Sequence, residues 1–284
     1  MAERYYIGSL EIVIGAPDDL QFNLWENRFT VPVLDVTHSV NVDFELTDEI
    51  PGLSGEGFSI QNATSYDTPE GELRVYRIPD ECAYSIYDRE KDRVTVFVVR
   101  DKYAVFKYGF RPWYYMHLEE LLLLNDALIL HSAGIVVRGG AIAFSAPSGT
   151  GKTTQANLWH RYRDGVEDLN GDKNLLQRLP DGTWRMCGFP IYGSSELCEQ
   201  TAVPIRAIVI VRRGQSDVAV TLDTVEKIRL IYGEINLFTG SREYVERALD
   251  LVIDFVDKTD VVGLSCTMEE TAVAALEEYL DGTV

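Results

Sequence analysis

The chain has 284 residues, 46% hydrophobic and 11% aromatic, which is enough to bury one large core or two ordinary ones and excludes a disordered chain. It carries 45 Asp and Glu against 26 Lys and Arg, a formal charge of -19. Bulk attraction to nucleic acid or to acidic membranes is therefore excluded, and we expect neither as a partner.

The first hundred or so residues predict a β-rich domain. Short runs of β-branched and aromatic residues alternate with turn-forming segments such as Asp88–Asp92. The predicted strands are Tyr5–Ile14, Arg74–Ile78, Ala83–Tyr87, Arg93–Arg100 and Tyr103–Tyr108. A helix over Pro112–Leu124 follows, so we place a domain boundary at residue 110: a β-rich domain over 1–110 and a second domain over 111–284.

The second domain mixes strands and helices. Ile129–Arg138 and Ala141–Ser145 predict two strands joined by a two-residue turn at Gly139-Gly140. Downstream strands are predicted over Val166–Leu169, over a hairpin within Leu175–Cys187, over Ile205–Val211 and over Asp260–Cys266. Predicted helices are Lys152–Arg163, Thr224–Leu237, Ser241–Asp257 and Met268–Leu280.

The four cysteines are dispersed, without the spacing of a zinc site, which predicts buried free thiols. The first fifteen residues lack the pattern of a signal peptide. The longest apolar stretch, within 121–130, is interrupted by Asn125-Asp126 and is too short to span a bilayer. We therefore expect a soluble cytoplasmic protein.

A glycine-rich segment, Ser145–Thr154, matches the phosphate-binding pattern G-x-x-x-x-G-K-[ST] except that Ala146 replaces the first glycine. Its glycines allow backbone N–H groups to converge on a phosphate at the positive end of the following helix. Lys152 is placed to bridge the β- and γ-phosphates, and the Thr153 hydroxyl to bind Mg²⁺. ATP and Mg²⁺ are therefore the predicted cofactors. The predicted nucleotide contacts are Ser148, Gly149, Thr150, Gly151, Lys152, Thr153 and Thr154.

Three motifs resemble the catalytic domain of the HPr serine kinase/phosphorylase family. In chain order they are Leu130–Gly134 with its histidine, the run PSGTGKTT, and Leu169–Asp172. That family shares its nucleotide-binding core with phosphoenolpyruvate carboxykinase. The resemblance covers roughly residues 125 to 280. It implies an α/β fold whose mixed sheet carries the P-loop on a hairpin strand. Residues 1–110 do not resemble the family's N-terminal domain; the chain looks more like the diverse HPr-kinase-related proteins, some of which phosphorylate peptides.

The resemblance assigns roles to two further residues. His131 precedes Lys152 by 21 residues, as the family's active-site histidine does. Asp172 matches the carboxylate that acts as general base toward the acceptor hydroxyl and that can also reach Mg²⁺. The predicted catalytic residues are thus Asp172, Lys152 and His131, and the predicted metal ligands are Thr153 and Asp172. His38, His117 and His160 have no comparable context.

The chain departs from the family pattern at two places. Gly171 stands where the family has a second acid, and Pro190 and Tyr192 stand where an acid and an arginine are expected. The second departure predicts a kinase without the reverse phosphorylase activity. Glu196 is a weak candidate to replace the missing acid, because a solvated loop carboxylate without a catalytic role is the better interpretation of this residue.

The predicted function is ATP-dependent phosphoryl transfer to a serine or threonine hydroxyl of a protein or peptide, such as an HPr-like protein or a ribosomal peptide. Two alternatives stay open: a small-molecule kinase on the same core, and a nucleotide-binding module without catalysis. The resemblance also allows a homo-oligomer. Four arginines are candidates for a cation in the transition state, and the sequence does not choose among Arg206, Arg212, Arg213 and Arg242.

Overall fold

The computed structural model describes residues 3–17, 20, 28–52, 56–60, 63–76, 81–107, 111–193, 196–237 and 241–282. The chain divides into two compact units, Met1–Asn125 with Leu237–Val245, and Asp126–Asn236 with Glu246–Val284. The boundary predicted at residue 110 falls earlier in the chain than this division. The fold is α/β with mixed sheets, as predicted.

The first unit is built on one mixed sheet. Its strands are β1 Glu3–Ile7, β2 Leu10–Gly15, β3 His38–Thr47, β4 Phe58–Ile60, β5 Ala63–Thr68, β6 Gly71–Tyr76, β7 Ala83–Asp88 and β8 Arg93–Val99. Their order is β1-β2-β3-β8-β7-β6-β5-β4. Strand β3 pairs parallel with β2 and with β8, and the other neighbours are antiparallel. Burial alternates along β2 and β8, so most of their apolar side chains lie on one buried face, as a half-covered sheet requires.

Two predictions in this unit are wrong. Tyr103–Phe106, whose residues favour a strand, is a short helix, α1, that continues a 3₁₀ turn over Arg100–Lys102 and buries Phe106. The predicted helix over Pro112–Leu124 is two helices, α2 Arg111–Tyr114 and α3 Leu118–Leu124. His117 separates them in the left-handed region, with a φ of 54°.

Other predictions in the first unit need smaller changes. Gly8 and Ser9 divide the strand predicted over Tyr5–Ile14 into β1 and β2. Strand β3 was not predicted, although its side chains alternate between buried and exposed positions along much of its length. Residues 77, 78 and 108, at the ends of two predicted strands, lie outside the described residues.

The second unit contains the other mixed sheet. Its strands are β9 Ala127–Val137, β10 Gly140–Ser145, β11 Val166–Asn170, β12 Lys173–Arg178, β13 Trp184–Cys187, β14 Ala202–Arg213, β15 Val218–Thr221 and β16 Val261–Cys266. The order is β10-β9-β12-β13-β14-β16-β15, with β11 also on β9. Strand β10 pairs antiparallel with β9 and parallel with β14, so the sheet returns on itself. Strand β10 is therefore reached through a hairpin, as predicted.

The helices of this unit are α4 Lys152–Tyr162, α5 Thr224–Glu234, α6 Arg242–Lys258, whose first residues belong to the first unit, and α7 Glu270–Gly282. All four were predicted within a few residues at each end. A buried core of small and branched side chains from β9, β10, β14 and β16 packs against α4 and α7. This packing fixes the end of β10 and the start of α4, between which the glycine-rich loop lies.

The turn of the β9–β10 hairpin differs from the prediction by one residue. Val137 pairs with Gly140, so the turn residues are Arg138 and Gly139, at φ values of 52° and 77°. Two successive positive φ values match the twist of the flanking strands, as in a type I′ turn. Strand β15 was not predicted.

The predicted free cysteines are confirmed, because all four side chains are buried and unbridged. Within the described part of the chain, no helix combines the length and apolarity needed to cross a bilayer.

Candidate functional site

The glycine-rich loop connects the last residue of β10 to the first residue of α4. Gly149 and Gly151 have φ values of 77° and 125°, conformations that a side chain strongly disfavours. Gly151 occupies the N-cap of α4, where no side chain among the described residues caps the helix, and the first turn contains no acidic residue. The positive end of α4 is therefore available to an anion.

The conformation and burial of Ala146 explain why alanine can replace the first glycine of the pattern. It has no positive φ, so it does not need the freedom of glycine. Its side chain is 1% exposed and belongs to the core of the unit. An alanine at this position thus strengthens packing under the loop without obstructing the loop itself.

Lys152 is the buried cation of the loop. Its side chain is 8% exposed, and Nζ donates a hydrogen bond to the Ala146 carbonyl at 2.8 Å. Burial lowers the pKa of Lys152, and the carboxylates of Glu234 and Asp172 oppose that shift. The buried ammonium is thus influenced by the charges of two acids.

His131 lies beside the loop because of the hairpin register. Ser145 is opposite Ser132, and its hydroxyl donates to the His131 carbonyl at 3.0 Å. On the other side of β9, Lys173 pairs with His131, which brings the preceding residue, Asp172, to the same edge of the sheet. The structure thereby brings together Lys152, His131 and Asp172, the three residues predicted to be catalytic.

Asp172 is fixed by Asn170, a residue to which the sequence analysis gave no role. The side-chain carbonyl oxygen of Asn170 accepts hydrogen bonds from the backbone N–H groups of Asp172 and Lys173, both at 2.9 Å. Its side-chain N–H donates to the Phe189 carbonyl at 2.7 Å. This asparagine turn holds Asp172 at the start of β12, with its side chain one-third exposed.

The segment that departs from the family pattern packs against Asp172. Gly193 has a φ of 61°, and a Cβ there would lie 3.0 Å from both Cβ and Cγ of Asp172. Pro190 is buried, and Glu196 is exposed. Residues 194 and 195 of the same segment lie outside the described residues. The side of Asp172 facing Gly193 is therefore closed by backbone.

Glu234 completes the group and was missed by the sequence analysis. His131 Nδ1 lies 3.0 Å from Glu234 Oε2, and His131 Nε2 lies 3.7 Å from Asp172 Oδ1. An ionised carboxylate only accepts hydrogen bonds, so Nδ1 carries the proton in the pair with Glu234. The imidazole is thus oriented by one acid while its other nitrogen faces a second.

Glu234 reaches this position through the end of α5. The helix ends at Glu234, the next residue forms a bridge with Leu130, and the Asn236 N–H donates to the Ile129 carbonyl at 2.7 Å. No local motif marks such a residue, because its role depends on a contact across 103 positions of sequence.

Of the four candidate arginines, Arg213 contacts the loop. Its guanidinium donates to the Gly149 and Thr150 carbonyls. Arg206 pairs with Asp281, and Arg212 pairs with Glu226 at 2.6 Å. Arg242 belongs to the first unit. Arg213 therefore acts on the loop through backbone carbonyls.

The remaining predicted contacts line the loop and the first turn of α4. Ser148, Gly149 and Thr153 are exposed, while Thr150, Gly151 and Thr154 are partly buried. No hydrogen bond among the described residues joins Thr153 to Asp172, the two predicted metal ligands. The connection between them is indirect: Lys152 precedes Thr153 in the chain, and the charge of Asp172 raises the pKa of Lys152.

Comparison with models of known protein families gives no match to this chain, and comparison with curated proteins gives no similar sequence.

Proposed function

We propose that the second unit is an ATP-dependent kinase that transfers the γ-phosphoryl group to a serine or threonine hydroxyl of a protein or peptide. One observation carries the proposal: a glycine-rich loop at an uncapped helix start lies beside a buried lysine, a histidine and two carboxylates. A site that only binds phosphate would account for the loop. The two carboxylates and the histidine add groups that can orient an attacking hydroxyl and accept its proton.

Each residue has a distinct role in the proposed reaction. The acceptor oxygen attacks the γ-phosphorus, the bond to the β-phosphate oxygen breaks, and ADP leaves. Asp172 orients the hydroxyl and accepts its proton. Lys152 stabilises negative charge on the transferred group and the leaving oxygens. His131, oriented by Glu234, lies 3.7 Å from Asp172, a separation within which a hydroxyl can contact both.

The proposed reaction also uses a magnesium ion. Its oxygen donors are the exposed Thr153 hydroxyl and the Asp172 carboxylate, the ligand type that Mg²⁺ prefers. Bound Mg²⁺ would neutralise charge on the β- and γ-phosphates. The single acid at position 172, after Gly171, supplies one carboxylate toward it.

Intact-mass analysis tests the function directly. The full chain is incubated with ATP and Mg²⁺ and either an HPr-like protein, serine- and threonine-containing peptides, or small hydroxylated metabolites. A gain of about 80 Da on a protein or peptide, the mass of one phosphoryl group, supports the proposal. A product only among the metabolites identifies a small-molecule kinase. Nucleotide binding without any product identifies a binding module and refutes catalysis.

We expect transfer in one direction only. The segment over 187–193, which departs from the family pattern at Pro190 and Tyr192, offers no acid at the position the resemblance requires for phosphorolysis. The phosphorylated product, incubated with inorganic phosphate and Mg²⁺, should therefore release no pyrophosphate. Pyrophosphate formation that depends on added phosphate would contradict this prediction.

Glu234→Gln is expected to lower the rate of transfer by about 10- to 100-fold, the usual effect of removing a residue that orients a site histidine or ligand. Glutamine keeps the size of the side chain but loses the charge that fixes the His131 Nδ1 proton. Glu226→Gln on the same helix is the matched control, because Glu226 pairs with Arg212 instead. Equal rates in the two variants, measured under single-turnover conditions, would exclude a role for Glu234.

A further inference from the structure

The first unit contains a buried group of charged side chains that the proposed transfer site does not use. Arg74 on β6 is wholly buried, as is Glu120 on α3. The Arg74 guanidinium donates to Glu120 and, at 3.1 Å, to Glu72 on its own strand. It also lies 3.4 Å from Glu119, and a second guanidinium, Arg89, donates to Glu72 at 2.9 Å.

This group has more carboxyls than guanidiniums. The carboxyls of Glu72, Glu119 and Glu120 pair with two guanidiniums, those of Arg74 and Arg89. The Ser65 hydroxyl also donates a hydrogen bond to Glu72, at 2.7 Å. The Glu120 carboxyl is wholly buried, so a further positive charge beside its ionised form would be stabilising.

A buried histidine stands next to the acids with one nitrogen unused. His117 is 0% exposed, and its Nε2 lies 2.9 Å from the Ser85 hydroxyl on β7. Its Nδ1 has no hydrogen-bond partner among the described residues, and the same holds for Glu120 Oε2. Unsatisfied polar atoms are rare in protein interiors, and two in one group indicate a missing partner.

The two residues with unused atoms, His117 and Glu120, form with Glu72 a set whose donor atoms have the spacing of metal ligands. One donor atom each from Glu72, His117 and Glu120 lies within 4.8 Å of the other two. Metal bonds to histidine nitrogen and carboxylate oxygen are about 2.0–2.2 Å long, so one ion can reach all three donors with small side-chain shifts. The donors belong to β6, to the residue before α3, and to α3.

Two surface cavities lead to the group. Their volumes are about 550 and 280 Å³, and both are lined by Asp67, Glu72 and Arg89. The larger also has Glu70, Asp88 and Glu90 on its wall. Acidic walls raise the local concentration of cations, which gives an ion a path to Glu72.

We propose that Glu72, His117 and Glu120 bind one divalent transition-metal ion, with Zn²⁺ as the best-matched metal. A set of one imidazole and two carboxylates, without thiolates, suits Zn²⁺ or Mn²⁺ and excludes metals that need sulfur. Ser85 orients the imidazole, and Arg74 and Arg89 bond the ligating carboxylates from the outer shell, as such ligands usually require. The ion joins α3 to the sheet and is structural.

Zinc titration of the tag-free full chain tests the proposal. The protein is treated with EDTA, desalted, titrated with Zn²⁺ without nucleotide near pH 8, and its metal content is measured after a second desalting. We expect one Zn²⁺ per chain and a higher Tm that EDTA reverses. His117→Asn, chosen because asparagine tolerates the positive φ at this residue, should bind at least about tenfold more weakly.

Two control variants separate this site from others. His38→Asn removes a partly exposed histidine of the same unit, 3.5 Å from Asp92, and should keep the Zn²⁺. Asp172→Asn should also keep it, since the transfer site lies in the other unit. If His117→Asn does not fold, Glu120→Gln and the reversible Tm shift of the unaltered chain decide. Absence of bound Zn²⁺, or its loss in Asp172→Asn but not in His117→Asn, overturns the proposal.

Discussion

Lys152→Met is expected to reduce phosphoryl transfer by about 10²- to 10³-fold or more, the usual consequence of removing one charged group that stabilises a transition state. Methionine matches the length of the lysine stem but provides no charge to the phosphates. Nucleotide binding should weaken as well, because the proposed contact of Lys152 with the phosphates is present both in the ground state and in the transition state. Transfer by intact mass and ATP binding by calorimetry measure the two effects separately.

The same substitution should change the stability of the fold only modestly. It removes a desolvated ammonium, whose pKa is lowered by burial, but also the hydrogen bond to the Ala146 carbonyl, and these two effects on stability have opposite signs. The Asp172 and Glu234 side chains left behind are 33% and 16% exposed, so water can solvate them in part. We expect the Tm of Lys152→Met to stay close to that of the unaltered protein. Loss of transfer at an unchanged Tm would therefore report chemistry.

Lys258→Met is the matched control. Lys258 is an exposed lysine that pairs with Asp254 at 2.7 Å on the same helix. Surface pairs of this kind contribute little to stability, so both transfer and Tm should change little. Retained transfer in Lys152→Met would reject the proposed role of the loop.

The loop could be predicted from the sequence because its signals are local. Gly149, Gly151 and Lys152 lie within four residues, and the strand and helix beside them have clear apolar patterns. The hairpin was predictable for the same reason, although the register placed its turn one residue earlier, at Arg138-Gly139. Short-range conformational preferences decide such features, and they can be read without knowledge of distant contacts.

The rest of the site depends on contacts that sequence spacing does not encode. Asp172 approaches His131 because β12 pairs with β9 in one particular register. Glu234 approaches His131 because the end of α5 bonds to Ile129. Asp172 was predicted through a family resemblance and Glu234 was not predicted, since an acid at a helix end has many possible partners.

Local sequence preferences also gave wrong predictions of secondary structure where tertiary packing determines the backbone conformation. Tyr103–Phe106 contains residues that favour strands, yet it forms a helical turn with Phe106 fully buried. His117 interrupts an otherwise helical pattern by adopting a positive φ, and its imidazole enters the interior of the first unit. Burial of these side chains outweighs the weak intrinsic preferences of the backbone.

Asp172→Asn is expected to reduce transfer by roughly 10²- to 10⁴-fold, the range that general-base catalysis provides. Asparagine fits the same space against Gly193, and its backbone N–H keeps the hydrogen bond to Asn170. The amide cannot accept the proton of the acceptor hydroxyl. ATP should bind with similar affinity, since in the proposed reaction Asp172 acts on the acceptor and on the metal rather than on the loop.

Asp168→Asn provides a close comparison for this prediction. Asp168 belongs to the neighbouring strand β11 and pairs with a different histidine, His160, at 2.8 Å. Both variants exchange the carboxylate of a histidine–aspartate pair for an amide, but only Asp172 lies beside Lys152 and His131. A large loss of transfer in Asp172→Asn with normal transfer in Asp168→Asn would assign the proton acceptor to Asp172. Equal activity of the two variants would require another base, and Glu234 is then the nearest carboxylate to His131.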